Sequence, residues 1–221
     1  MICPCCGSSQ TRQRAILRDE LIKAWRLASY EVDYINRQQG LHCLACGSNL
    51  RSMTLAKAIM SCFAYAATFK EFVRSEVAKH LRVLEINEAG SLTRFLKELP
   101  DHVLVTHPDV DMMNLPFGDA GFDLVVHSDT LEHVQRPICG LSECRRILKP
   151  SGFCVFTVPM IVDRLTASCE GLPPSFHDSP NSVVYSEYGA DAWKHLMLAG
   201  FQECRIVSLE YPASQALVGV R

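Results

Sequence analysis

The sequence predicts an α/β fold: a mostly parallel sheet with helices on both faces, preceded by a small helical unit that carries paired cysteines. Three observations predict it. Leu81–Ile86 is a short run rich in branched apolar residues, and a small-residue turn and a helical pattern follow it. Downstream, apolar runs and helical stretches alternate, the pattern of a parallel sheet. Upstream, two C-x-x-C-G units mark a separate N-terminal unit.

The stretch from Leu81 to Leu96 organises the rest. After Ile86 the chain turns through Asn87, Ala89, Gly90 and Ser91. Leu92, Phe95, Leu96 and Leu99 then recur at helical spacing until Pro100 stops them. A strand feeding a helix through such a turn points free backbone N–H groups at whatever sits above the strand. In open α/β sheets that is where ligands bind. Glu85 adds a fixed negative charge near the strand's end.

Composition narrows the class. The 221 residues are 48% hydrophobic and 21% charged, as in a globular protein with one good core and an appendage. No apolar run reaches the ~18–20 residues of a membrane span. The start, Met-Ile-Cys-Pro-Cys-Cys-Gly, lacks the basic and apolar regions of a signal peptide. Eleven cysteines, an odd number, fit a reducing cytoplasm better than a disulfide framework. Net charge is −2, but residues 1–80 hold 11 Lys and Arg against 6 Asp and Glu, while residues 81–221 hold 11 against 18. The basic excess reads as solvated helix faces; a nucleic-acid surface needs a denser stripe with interleaved aromatics.

In the N-terminal unit, residues 1–80, Cys3-x-x-Cys6-Gly and Cys43-x-x-Cys46-Gly make a four-thiolate set. Two residues between thiolates let both sulfurs reach one tetrahedral ion, and the glycine lets the backbone turn around it. Structural Zn²⁺ on Cys3, Cys6, Cys43 and Cys46 is expected, with Cys5 the spare thiol. Such a filled site holds the fold and does no chemistry. Helical patterns follow over Ala15–Leu27, Glu31–Arg37, Leu50–Ala66 and Thr68–His80. This unit is expected to pack near the sheet's ligand edge as part of a substrate lid.

Residues 81–221 form the sheet domain. Strands are expected at His102–Thr106, Phe122–His127 and Phe153–Val158. Helices are expected from Ser128, over Ile138–Leu148 and over Tyr188–Ala199. Gln202–Leu209 and Gln215–Val220 read as an antiparallel pair closing the domain. Six motifs occur in order: Val83-Leu-Glu-Ile, Asp111-x-x-x-Leu-Pro-Phe, Phe122-Asp-Leu-Val, Asp129-x-Leu-Glu-His-Val134, Arg146-x-Leu-Lys-Pro-x-Gly152 and Ala199-Gly-Phe201. Together they resemble the class I S-adenosylmethionine-dependent methyltransferases, most closely the methyltransferase type 11 domain, over residues 81–208. The resemblance implies a Rossmann-like sheet with a terminal antiparallel strand. It implies S-adenosylmethionine as cofactor and methyl transfer to an oxygen or nitrogen of a small-molecule acceptor. The Glu85–Ser91 turn, with Asn87, Ala89 and Gly90, would hold the cofactor's amino-acid end. Asp111 would bind the adenine amino group with Met112 and Met113 against the ring. His127, Ser128 and Asp129 would line the cofactor and acceptor side.

Two departures stand out. The family's E-x-G-x-G-x-G is here Glu85-Ile-Asn-Glu-Ala-Gly-Ser91, with only Gly90 left. Glu85 and Asp111 are 26 positions apart, too few for the two crossovers the family places there, so one strand–helix unit is expected to be missing. His107 or Asp109 stands near the place of the ribose-binding acid. Asp129, Glu132 and His133, at i, i+3 and i+4, read in two ways: a capping box that starts a helix, or a catalytic face, for which the resemblance to polyprenyl-dihydroxybenzoate methyltransferases implies a divalent ion. His133 is the general-base candidate, since its ordinary pKa lies near neutrality. His177, in the irregular stretch 165–182, is a weaker acid–base candidate. Two rival functions remain: a non-catalytic binding module on a degenerate scaffold, and a nucleic-acid methyltransferase. The second ranks low, because His127-Ser-Asp-Thr130 stands where base-modifying enzymes carry Asn-Pro-Pro-aromatic.

Overall fold

The computed structural model describes residues 1–169 and 183–221; His177 lies outside the described residues. In the N-terminal unit, β1 (Thr11–Arg12) pairs antiparallel with β2 (His42–Cys43), and α1 (Asp19–Ala24) and α2 (Ser29–Gly40) lie between them in sequence. Then come α3 (Leu50–Cys62) and α4 (Phe69–Phe72). The sheet domain runs β3 (Arg82–Ile86), α5 (Thr93–Leu96), β4 (Asp101–Val105), β5 (Phe122–Ser128), α6 (Pro137–Ile147) and β6 (Leu148–Thr157). Three short strands follow, β7 (Met160–Ile161), β8 (Ala167–Ser168) and β9 (Ser186–Gly189), which form a small sheet of their own. The chain ends with α7 (Trp193–Leu198), β10 (Glu203–Leu209) and β11 (Ser214–Val220).

The main sheet has the order β10-β11-β6-β5-β3-β4. The β6–β5–β3–β4 half is parallel, and β11 inserts antiparallel between β6 and β10. The expected antiparallel pair is therefore present. Between β4 and β5, residues 106–121 contain no strand or helix, where the missing unit was expected.

Strand alternation sorts the core onto two faces. Leu124 and Val126 of β5 join one cluster, with Val83, Leu92 and Phe95. Val125 joins the other, with Leu141, Ile147 and Leu196 of α6 and α7. The first cluster also takes in Met53, Leu55 and Ile59 of α3 and the cysteines Cys3, Cys5, Cys43 and Cys46. So α3, starting from an Asn49 side chain that accepts the Ser52 N–H at 2.9 Å, is one of the sheet's covering helices. Residues from both sides of residue 80 share this cluster.

Ala15–Leu27 narrows to α1 and Leu50–Ala66 ends at Cys62; three further helices expected from periodicity are shorter for local reasons. Thr68–His80 breaks after α4, where the Ser75 hydroxyl donates to Phe72 O and accepts the Ala78 N–H, competing with the helical ladder. The helix expected from Ser128 is only a 3-10 turn at Leu131–His133, because Asp129 has φ +47°. Tyr188 belongs to β9, so the last helix begins at Trp193. Among the described residues no helix is long and apolar enough to cross a membrane.

Candidate functional site

The cysteine site is built by two knuckles of the same design. In each, the N–H of the glycine donates to the carbonyl of the first cysteine (Gly7 to Cys3, 2.8 Å; Gly47 to Cys43, 2.7 Å), and both glycines hold a positive φ. The N–H of the first cysteine reaches the serine five residues on, Ser8 or Ser48, at 2.9 Å. The ligand sulfurs of Cys3, Cys6, Cys43 and Cys46 all lie within 4.8 Å of one another. Cys3–Cys46 and Cys6–Cys43 are 3.7 and 3.6 Å apart. A tetrahedral zinc with Zn–S bonds of ~2.3 Å needs sulfurs ~3.8 Å apart, so the set fits that ion.

The second knuckle abuts the turn after β3. Ser91 Oγ donates to Ser48 Oγ at 2.9 Å, and Arg94 donates to the carbonyl of Cys46. Inside the turn, Glu85 is fully buried and braces it. Its Oε1 accepts the Ala89 N–H (2.7 Å) and the Thr93 hydroxyl (2.6 Å), and its Oε2 meets His102 Nε2 at 2.8 Å. Asn87, at φ +55°, ties three strand ends together. Its N–H donates to Val105 O, its Oδ1 accepts the His107 N–H, and its Nδ2 donates to Thr130 Oγ1.

Two cavities open at this carboxyl edge. The larger, about 460 Å³, is lined by Ile86, Asn87, His107, Asp111, Met112 and Met113 on one side, and by Thr130, His133, Val134, Gln135, Val183 and Tyr185 on the other. The smaller, about 260 Å³, is walled by Ile16, Leu17, Leu21 and Trp25 around α1, by Ile35, Gln38 and Gln39 of α2, and by Arg51, Asp129, Glu132 and Met160. The N-terminal unit therefore walls the smaller cavity through residues around α1 and of α2. Arg164 fastens it, pairing with Glu31 at 2.7 Å and donating to the carbonyls of Trp25 and Arg26.

One wall separates the cavities. Thr130 and His133 face the larger, and Asp129 and Glu132 the smaller. The facing segment alternates in the same way: Val183 and Tyr185 line the larger, Val184 and Ser186 the smaller, as an extended chain must. The Tyr185 N–H donates to Glu132 O at 2.8 Å and joins the two layers.

The expected site residues sort unevenly. Asn87, Asp111 and Met112 line the larger cleft, and so does His133. Glu85, Ala89 and Gly90 line neither cavity, since the turn is closed by the Glu85 carboxylate. His127 is corrected to a core residue: it is fully buried, stacks on Phe156 at 4.6 Å, and burial drives its pKa down to about 3, keeping it neutral. Ser128 is likewise internal, its hydroxyl 2.8 Å from Thr157 Oγ1. The shared helix face of Asp129, Glu132 and His133 is absent, and so is the capping box: Asp129 instead forms an ion pair with Arg51. Among the described residues the four cysteines are the sole cluster suited to a metal. His133 Nδ1 meets Val183 O at 2.8 Å, so Nδ1–H donates and Nε2 is the basic nitrogen of the neutral ring.

Arg51 was not singled out by the sequence, and Glu132 was read there only with Asp129 and His133, as a capping box or a catalytic face. Burial raises the Glu132 pKa to about 7, and burial lowers that of Arg51 to about 10, against the opposing pull of Glu132.

Residues 43–156 match the methyltransferase domain family, type 11. That is just over half of the chain, which therefore belongs to this family of S-adenosylmethionine-dependent methyltransferases. The match begins at the second knuckle, so it includes α3. Comparison with curated proteins gives no match. Among solved structures, the cyclase SpnF is similar at 18% identity over 63% of this chain and 58% of that one (TM-score 0.42). A 1,6-didemethyltoxoflavin N1-methyltransferase from Burkholderia thailandensis, with S-adenosylhomocysteine bound, shares 14% identity over 68% and 74% (TM-score 0.41). An S-adenosylmethionine-dependent methyltransferase from Aquifex aeolicus shares 15% over 68% and 87% (TM-score 0.43). This chain thus spans under two thirds of the cyclase's length.

Proposed function

We propose that the protein transfers a methyl group from S-adenosylmethionine to an oxygen or nitrogen of a small molecule. The larger cleft would take the cofactor and the smaller cavity the acceptor, with four thiolates holding a structural zinc ion. The observation that carries this reading is the pair of cavities at the carboxyl ends of β3 and β5, divided by one thin wall. The cleft's residues fit the cofactor: the exposed Asp111 carboxylate suits an adenine amino group, and Met112 and Met113 suit the ring. When bound, the cofactor supplies an electrophilic methyl on a sulfonium. The chain's own work is to align the two molecules and exclude water.

Zinc is supported by the sulfur spacing, and a reducing cytoplasm by the unpaired state of all eleven cysteines. Several of the N-terminal cations are paired, Arg37 with Glu210, Arg51 with Asp129, Arg74 with Glu98 and Lys79 with Glu76. This favours a small acceptor over nucleic acid. One observation favours the rival reading of a non-catalytic module: Glu85 and Asn87 use their polar groups inside the turn.

Calorimetric titration of the zinc-loaded chain with S-adenosylmethionine and S-adenosylhomocysteine decides between them. Micromolar binding of both, weakened about tenfold or more in Asp111→Ala, is expected for the loss of one charge-assisted hydrogen bond. No binding of either ligand favours the non-catalytic module.

A further inference from the structure

The smaller cavity is apolar over most of its wall but carries an unusual polar floor. Glu132 is 1% exposed, and neither of its carboxylate oxygens accepts a hydrogen bond; Asp129 Oδ1 and the Nε of Arg51 are likewise without hydrogen-bond partners. A buried polar group without partners is costly, and a ligand that completes it gains what the apo protein lacks.

The charges decide what kind of ligand. Among the described residues, Arg51 and Arg164 line this cavity against Asp129, Glu132 and Glu187. Arg51 is ion-paired with Asp129, and Arg164 with Glu31. Arg51 is thus shared: it pairs with Asp129 and also feels the charge of Glu132, which itself accepts no hydrogen bond, so at this floor two carboxylates face one guanidinium. His133 Nε2 is 3.8 Å from Glu132 Oε1, its ring held by Val183. Tyr188, whose pKa is pushed up by burial and by the charge of Glu132, lines the same cavity as a neutral phenol, its hydroxyl 3.3 Å from His195 Nδ1. An anion entering here meets an excess of negative charge, whereas a cation completes the set.

We propose that the smaller cavity is an amine site. It takes a small molecule with an apolar body and a protonated amino group, the body against Leu17, Leu21, Ile35 and Trp25, the amino group donating to Glu132 and Asp129. This deepens the reading above, because it gives the acceptor cavity its ligand class and rests on that assignment. Glu132 then has a second task. An ammonium nitrogen has no lone pair, so the amine must lose a proton before it can be methylated. The N–H bond breaks, its electron pair stays on nitrogen, and the proton goes to the Glu132 carboxylate. Burial tunes that carboxylate to accept it near neutral pH.

The test uses the full zinc-loaded chain and three probes that share one ring: tryptamine (cation), tryptophol (neutral) and indole-3-propionate (anion), titrated by calorimetry without cofactor. Tryptamine is expected to bind about tenfold or more tighter than tryptophol, and indole-3-propionate weakest. Docking a cation ionises Glu132, so tryptamine binding at pH 7 should release about half a proton, read from buffers of different ionisation enthalpy. Tryptophol should release none. Glu132→Gln should abolish both the preference and the proton release. Equal binding of the three, tighter binding of the acid, or no tryptamine binding at millimolar concentration overturns the proposal. The probe series on the wild-type chain decides even if the variant fails to fold. Failure of the methyltransferase reading is separable: tryptamine binding with no S-adenosylmethionine binding leaves an amine-binding module, and the converse leaves a methyltransferase for another acceptor.

Discussion

Glu132 and His127 are buried ionisable groups on neighbouring stretches, and they pull stability in opposite directions with pH. Glu132 is raised from 4.5 to about 7. The unfolded chain loses this proton first, so stability falls as pH rises from about 4.5 to 7, by about 3 kcal/mol in all. His127 is lowered from 6.5 to about 3. Here the unfolded chain gains the proton first, so stability is intact above pH 6.5 and lost as pH falls towards 3, by about 5 kcal/mol. Urea unfolding from pH 4 to 8 should show Glu132→Gln gaining on the wild type as pH rises, and His127→Phe gaining as pH falls. A difference that does not vary with pH contradicts the burial argument. Legibility at this scale depended on how local the evidence was. That Asn87, Asp111 and Met112 would lie together at one cleft was readable from their motif positions. Arg51 was not, because its partner Asp129 lies far along the chain and α3's pattern signals only a packed helix. His127 was misplaced because a motif gives the order of residues along a strand, whereas the strand's pleat decides which of them face the ligand.

The elements carry the zinc prediction. The sulfurs of Cys3, Cys6, Cys43 and Cys46 come from two knuckles that join the N-terminus to the start of α3. Cys6→Ala should lose the metal, measured by native mass spectrometry, and lower the melting temperature. Cys5→Ala should keep one zinc, and loss of zinc in Cys5→Ala with retention in Cys6→Ala would assign the ligands the other way. The second knuckle contacts the turn through Ser48–Ser91 and Arg94–Cys46, so removing zinc with a chelator should also weaken cofactor binding. The knuckles were legible because both ligands of each pair lie within one turn of chain. Helix ends were less so. Ser75 and the left-handed Asp129 stop helices through side-chain competition and backbone conformation that hydrophobic spacing does not record.

At the scale of the molecule, strand alternation and chain length foretold the sheet and its missing unit. They set the N-terminal unit near the sheet's ligand edge but did not say which of its helices covers the sheet and which line a cavity, since an apolar helix face does not name what covers it. Long-range ties do that: Arg164 to Glu31, Arg37 to Glu210, and a third core of Tyr34, Leu41, Leu50 and Ala213. The result is one fold with two cavities on either side of a single wall, which is the central claim. A crystal structure of the zinc-loaded chain with S-adenosylhomocysteine tests it most directly. The ligand should occupy the cleft between Asn87, Asp111 and Met113, with the cavity of Arg51 and Glu132 left to the acceptor. Density for the ligand in that smaller cavity, or in neither, would contradict the account.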